Sequence, residues 1–179
     1  SYTPTTGGYI AYIGRLSYEK GYDLLVEVAR KHPEIKFCFA GAQREKNNTE
    51  IPKNVEFKGY LPKKELSKFI QESRFIVIPS RCYEGFPMAI LEAACHGKPA
   101  IAPNHGGFTE IIGQGENAIG KLFEPGNTDD LDKQIAELWN NQTLTEELGE
   151  KAFKKLKKHY DSEVVYKQWE TLFSKLKNS

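Results

Sequence analysis

No apolar run in the sequence is long enough to cross a bilayer, and the first residues, SYTPTTGG, lack the basic and apolar regions of a signal peptide. Cysteine is scarce: Cys38, Cys82 and Cys95 are odd in number and have no metal-ligand spacing. These absences argue against a membrane span, a disulfide scaffold and a zinc module, and they point to reduced thiols in a cytoplasmic setting. Cys38, flanked by Phe37 and Phe39, reads as a buried, inert thiol. An excess of one charge is also missing. The formal net charge is +1, so nothing global predicts nucleic-acid binding or long-range steering of an anionic partner. There is no internal repeat. The loop after the first apolar run, GRLSYEKGYD, has neither G-x-G-x-x-G nor G-x-x-x-x-G-K-[ST], which removes the Rossmann dinucleotide fingerprint and the P-loop. It has no acidic pair either, which disfavours a magnesium-dependent receiver domain.

What is present is an ordinary globular balance. Of 179 residues, 39% are apolar and 27% charged, enough for one well-formed core and one domain. Short β-rich runs alternate with longer helical ones. Strands are expected over Tyr9–Ile13, Lys36–Ala40, Val55–Gly59, Phe75–Pro79, Pro99–Ala102 and Ala118–Phe123. Helices are expected over Tyr22–His32, KKELSKFIQES, PMAILEAACH, Thr128–Asn140, Thr143–Tyr160 and Glu163–Lys177. Pro62 and Pro87 stand where a helix would begin, and Gly97 where one would end. Such alternation implies right-handed crossovers, hence an α/β fold with a doubly wound parallel sheet of about six strands buried on both faces and followed by C-terminal helices. The stretch GAQREKNNTEIPKN reads as a polar, mobile loop.

Ligands of such sheets bind beyond the carboxyl ends of the strands, near the switch in strand order. The loops that matter therefore follow Ile13, Ala40, Gly59, Pro79 and Ala102. The first carries Arg15 and Lys20 beside a helix start, where free N–H groups and two cations suit a phosphate. Gly14 and Gly21 would allow backbone to approach a ligand closely. The plain alternative is that Arg15 and Lys20 are solvated surface residues.

The loop after the fourth strand opens RCYEGFPMAILEAACHGKP, with seven residues between Glu84 and Glu92. With Pro87 as the first helical residue, the rise per residue places the two carboxyls ~8–12 Å apart, beyond most of the ~5–9.5 Å used by glycoside hydrolase pairs. The pair therefore suits two grips on one long polar ligand better than a hydrolytic dyad. The plain alternative is a dipole-favoured glutamate before a helix and a good helix former within it.

The pieces GRLSYEKG, PSRCYEGFPMAILEAACHGKPAIA, GGFTEII and GKLFEPGNTDDL, in that order, resemble the C-terminal, donor-binding domain of a GT-B glycosyltransferase of family 4, the glycosyl transferases group 1. The resemblance runs from about Tyr9 to the final helices. It implies a Rossmann-like half of a GT-B fold, with residues 1–8 a linker from an N-terminal domain, 9–160 the nucleotide-sugar domain, and 161–179 a helix packing across the interdomain cleft. It also implies a retaining, metal-independent transferase of hexose-type sugars from a UDP- or GDP-sugar such as GDP-mannose. No cofactor is expected beyond that co-substrate. By position, Arg15 and Lys20 would bind the diphosphate, and Glu84 the sugar hydroxyls with help from backbone of Gly85, Phe86 and Met88. Glu92 would hold the ribose, Gly59, Tyr60 and Leu61 the base, and Gly14 the close backbone approach.

Two departures concern the motif itself: Pro87 stands where many relatives carry glycine and has no N–H to donate, and Cys82 stands where an aromatic is frequent. His96 and His105 match no family catalytic residue and read as loop or surface histidines. The acceptor, a saccharide or lipid-linked sugar of surface polysaccharide or glycoconjugate synthesis, would be bound by the other domain, so this half should not transfer sugar unaided. In the last segment Val164, Val165, Trp169, Leu172, Phe173 and Leu176 form a helical apolar pattern expected to be partly exposed. EKAFKKLKKHYD sets Phe153, Leu156 and Tyr160 on one stripe among five lysines. It reads as a solvated helix, with peripheral contact at the inner membrane face as the alternative. The competing functions are an NDP-sugar epimerase of similar architecture and a non-catalytic nucleotide-binding domain.

Overall fold

The structure, a computed structural model, describes residue 2 and residues 7–42 and 50–177, with side chains through residue 174. Six parallel strands form one sheet: β1 (Ile10–Ile13), β2 (Phe37–Ala40), β3 (Val55–Gly59), β4 (Phe75–Val77), β5 (Ala100–Pro103) and β6 (Gly120–Phe123). Their spatial order is β3-β2-β1-β4-β5-β6. The chain leaves β1 in one direction for β2 and β3, then returns to place β4 on the other side of β1. The switch point is the β1–β4 seam.

Seven helices accompany the sheet among the described residues: α1 (Tyr22–Lys31), α2 (Lys63–Glu72), α3 (Met88–Ala94), α4 (Gly106–Ile112), α5 (Thr128–Asn140), α6 (Gln142–His159) and α7 (Ser162–Lys177), the last set against α6. Strand residues alternate between two cores, as a pleated sheet requires. One holds Ile10, Tyr12, Phe37, Phe39, Phe75 and Val77 against α1 and α5. The other strand face presents Ala11, Cys38, Ala40, Ala100 and Ala102, whose small side chains leave room for apolar residues of α2, α3, α4 and α6. The strands thus present mainly bulky residues on one face and, apart from Ile76, small buried ones on the other, and helices complete both cores to the close packing that cores require. Cys38 is fully buried, and burial raises its thiol pKa, in keeping with an inert residue.

The expected elements are present with trimmed ends, and four expectations need correction. Pro62 and Pro87 are N-caps in extended conformation, so α2 and α3 begin one residue later. A seventh helix, α4, occupies GGFTEII, where two leading glycines hide the helical signal. The strand β3 is not buried on both sides: among the described residues it pairs only with β2, and Phe57, Lys58 and Gly59 are exposed, as befits a charged edge. Finally, His96 is buried, and its ring nitrogens lie 3.1 Å from Ser67 Oγ and 3.3 Å from Gln71 Nε2. The expected polar loop falls largely on residues 43–49, outside the described residues. Among the described residues no helix is long and apolar enough to cross a membrane.

Candidate functional site

The loop after β1 folds into a 3-10 turn, Tyr18–Lys20, and passes through Gly21 into α1. Gly21 has φ of 70°, and a Cβ there would collide with the Pro79 carbonyl at the end of β4. The glycine does permit a close approach, but to the neighbouring loop rather than to a ligand. Arg81 then binds the two loops together. Its guanidinium makes a two-pronged pair with Asp23 at 2.7 and 2.8 Å, donates to the Tyr18 carbonyl at 2.6 Å, and lies 3.9 Å from the Tyr18 ring centroid. The Arg81 backbone N–H donates to the Glu19 carbonyl. Asp23 raises the Arg81 pKa, so the clamp is permanently charged. Buried Tyr12 of β1 completes the support by donating its hydroxyl to the Arg15 carbonyl at 2.6 Å.

This bracing brings Lys20 to Glu84 across 64 residues of sequence, Nζ to Oε1 at 2.7 Å, both side chains about a quarter exposed. Arg15 is more exposed and pairs with Glu19 one turn away. The Glu84 loop is held from the other side by α4, whose Gly107 N–H donates to the Glu84 carbonyl at 2.8 Å. Gly107 packs so tightly here that a Cβ would collide with the Gly85 and Glu84 carbonyls. Beside it, the His105 ring lies tilted against that of Tyr83, with ring centroids 4.6 Å apart.

A concavity of about 330 Å³ opens at this seam, lined by Tyr12, Gly14, Lys20, Glu84, Phe86 and Met88 among others. It lies at the carboxyl ends of β1 and β4, where strand order reverses. Of the residues expected from sequence, Gly14, Lys20, Glu84, Phe86 and Met88 meet there. Glu92, about one turn into α3, borders a second concavity of about 170 Å³ with Lys63, Leu66, Ser67 and His96. Burial raises the Glu92 carboxyl pKa, and Lys63 opposes that shift. Leu61 packs into the same apolar cluster as Leu66, so the chain beyond β3 lies on the Glu92 side. Tyr60 is largely exposed, the Gly59 carbonyl accepts from the Gly41 N–H, and Gly85 is exposed on the Glu84 loop. Arg15, Gly59, Tyr60, Leu61, Gly85 and Glu92 are not part of the Lys20–Glu84 concavity.

Arg81, Asp23, Tyr12 and Gly107 escape a reading of the sequence. Arg81, Asp23 and Gly107 act through partners distant in the chain, Tyr12 acts on the loop three residues on, and none carries a recognisable local pattern. Chemically, the arrangement offers cations and a carboxylate at one end of α3 and a carboxylate with an ammonium further along it. That is a layout for anionic and hydroxylated parts of one elongated molecule. Among the described residues no group of three or more His, Cys, Asp or Glu side chains could hold a metal ion.

The profile of a family described as glycosyl transferases group 1 matches residues 2–155. An uncharacterized glycosyltransferase of Methanocaldococcus jannaschii is 34% identical over 147 residues, covering 78% of this chain and 40% of the relative. The Staphylococcus aureus protein TarM, solved as a variant with Fondaparinux, alpha-GlcNAc-glycerol and UDP, superposes with a TM-score of 0.78 at 28% identity. That match covers 97% of this chain and 36% of TarM. The C-terminal domain of the group 1 family protein LpcC from Francisella tularensis shares the fold, with a TM-score of 0.74 at 22% identity over 89% of both chains. The chain spans 32–40% of the length of the curated relatives it first matches.

Proposed function

The chain belongs to the glycosyl transferases group 1 family, with the fold of one half of a GT-B enzyme, and from that premise we propose that it is the donor-binding half of a retaining family 4 glycosyltransferase. The donor is a UDP- or GDP-sugar carrying a hexose-type sugar, and the acceptor is a saccharide or lipid-linked sugar held by a further domain. The observation that carries this reading is the Lys20–Glu84 ion pair inside the concavity at the β1–β4 switch point. A related protein of 28% identity binding UDP favours that nucleotide.

The chemistry follows from charge. In the free protein Lys20 is paired with Glu84 and Arg15 with Glu19. A diphosphate entering the concavity offers a denser anion to Lys20 and, reaching beyond it, to Arg15 on the same loop, so each exchanges a carboxylate for phosphate oxygens. Glu84 is then free to accept hydrogen bonds from sugar hydroxyls, and the two cations stabilise the charge that grows on the leaving diphosphate. These fixed cations supply the role that a metal plays in other sugar transferases. Further along α3, Glu92 accepts from the ribose and the backbone beyond β3 receives the base. The enzyme works in the cytoplasm or at the inner membrane face, and α7 closes back over the cleft to the acceptor domain.

Calorimetric titration with UDP, GDP and ADP tests the reading. Millimolar or tighter binding of at least one nucleotide is expected, weakened roughly tenfold by Lys20→Ala, the scale of one lost charge-assisted contact. No binding by any nucleotide overturns the function. Binding untouched by both Lys20→Ala and Glu92→Ala overturns the site.

A further inference from the structure

A further cavity, of about 440 Å³, shares no lining residue with the donor concavity. It is formed where α6 passes the 3-10 turn Gly115–Asn117, and its walls include Lys151, Lys154, Lys155, Lys158 and His159. The lysines are spaced i, i+3, i+4 and i+7, which places them on one helical face. Residues 151–159 hold five lysines and no acidic residue, in a chain whose net charge is only +1.

Helix stabilisation does not account for this cluster. Cations in the last turn of a helix complement its dipole, which explains Lys157, Lys158 and His159, but that benefit fades beyond one turn. Lys151, Lys154 and Lys155 lie further back. Lys154 is paired with Glu150 and Lys157 with Asp161. Among the described residues no carboxylate is within ion-pair distance of Lys151, Lys155 or Lys158. Two of these three are held in place by backbone: Lys155 Nζ donates to the Ile111 carbonyl at 2.7 Å and Lys151 Nζ to the Glu116 carbonyl at 3.2 Å. Each ammonium keeps further N–H donors for a ligand. Partial burial also lowers the Lys155 pKa, an unfavourable setting for a charge that an anion would relieve.

We propose that this cavity is a binding site for phosphate groups, separate from the donor site. The next residue after His159, Tyr160, packs its ring 5.7 Å from that of Phe86 on the Glu84 loop. The phosphate site therefore flanks the donor concavity, and a ligand bearing a phosphate could be anchored there while its other end reaches the cleft. Both a soluble phosphate compound and an anionic lipid headgroup carry this chemistry.

The test uses the full chain carrying Lys20→Ala, so that the donor concavity does not compete for the probe. Pyrophosphate, followed by amide NMR, should shift Glu116, Asn117 and residues 151–159 saturably and with strong salt dependence. The double substitution Lys151→Glu, Lys155→Glu should weaken binding by tenfold or more. A second pair, Lys151→Gln with Lys158→Gln, leaves the Lys155–Ile111 bond intact and should move affinity in the same direction if the first pair disturbs folding. Vesicles of phosphatidylglycerol in phosphatidylcholine form the other arm. Sedimentation with them, lost on charge reversal and without a response to pyrophosphate, assigns the phosphate to a lipid headgroup. Binding of neither probe, or binding indifferent to both pairs, overturns the proposal.

Discussion

Glu92 carries opposing demands on one carboxyl. Burial raises its pKa, so the folded protein holds that proton more tightly than the unfolded chain, and Lys63 only partly offsets this. By linkage, this group's contribution to stability falls as pH rises through the interval from the unfolded value to the raised one. At neutral pH the ionised form therefore costs stability and is available as an acceptor. Glu92→Gln is expected to raise the thermal midpoint modestly at pH 7 and to leave it unchanged below about pH 4. The same substitution should weaken UDP binding roughly tenfold. Calorimetry at both pH values checks the pair of effects, and an unchanged midpoint with unchanged affinity would remove Glu92 from both roles. The spacing to Glu84 made Glu92 a candidate ligand grip, and the structure sets it in a concavity of its own. The lysine facing it could not be read from the sequence, because Lys63 lies 29 residues away on a different helix.

Among the elements, α4 shows how packing can outweigh propensity. A helix opening with two glycines is intrinsically weak, and Ala at Gly107 would gain ~1 kcal/mol on propensity alone. Yet its Cβ would run into the Gly85 and Glu84 carbonyls, and overpacking of this kind costs ~1–3 kcal/mol. Gly107→Ala is thus expected to lower the urea midpoint and, by pushing the Glu84 loop outward, to weaken nucleotide binding several-fold. A stabilised variant with normal binding would show that the contact is slack. The 3-10 turn after β1 depends on long-range partners in the same way. Arg81→Lys keeps the charge but loses the two-pronged geometry with Asp23. It should weaken nucleotide binding through Lys20, with a small loss of stability. The strands and the long helices announce themselves in the sequence through their periodicity, whereas these braces lack any local signal.

At the scale of the whole molecule, the net charge of +1 conceals an uneven surface. One flank of α6 is basic, and α7 exposes Trp169 at 54% and Phe173 at 56%, together with Tyr166 and Leu172. The Trp169 and Phe173 rings stack on each other at 5.6 Å. Leu176 carries the expected pattern on, with its side chain outside those described. A contiguous aromatic stripe of this kind favours association. The chain is expected to self-associate with rising concentration, and Trp169→Lys with Phe173→Glu to abolish this without changing nucleotide affinity, as read by analytical ultracentrifugation. A monodisperse chain at high concentration would show that the stripe is inert. Supplied with a nucleotide-sugar and a saccharide acceptor, the 179-residue chain should show no transfer. The sequence by itself determined that strands alternate with helices, which faces are apolar, and that a glutamate-bearing loop follows the fourth strand, since burial and turn chemistry leave local periodic traces. Only the tertiary structure decided the strand order that sets β1 beside β4, the meeting of Lys20 with Glu84, and the separation of Glu92 into its own concavity. Those features arise from crossovers and close approaches between segments tens of residues apart, where no local pattern records the partner.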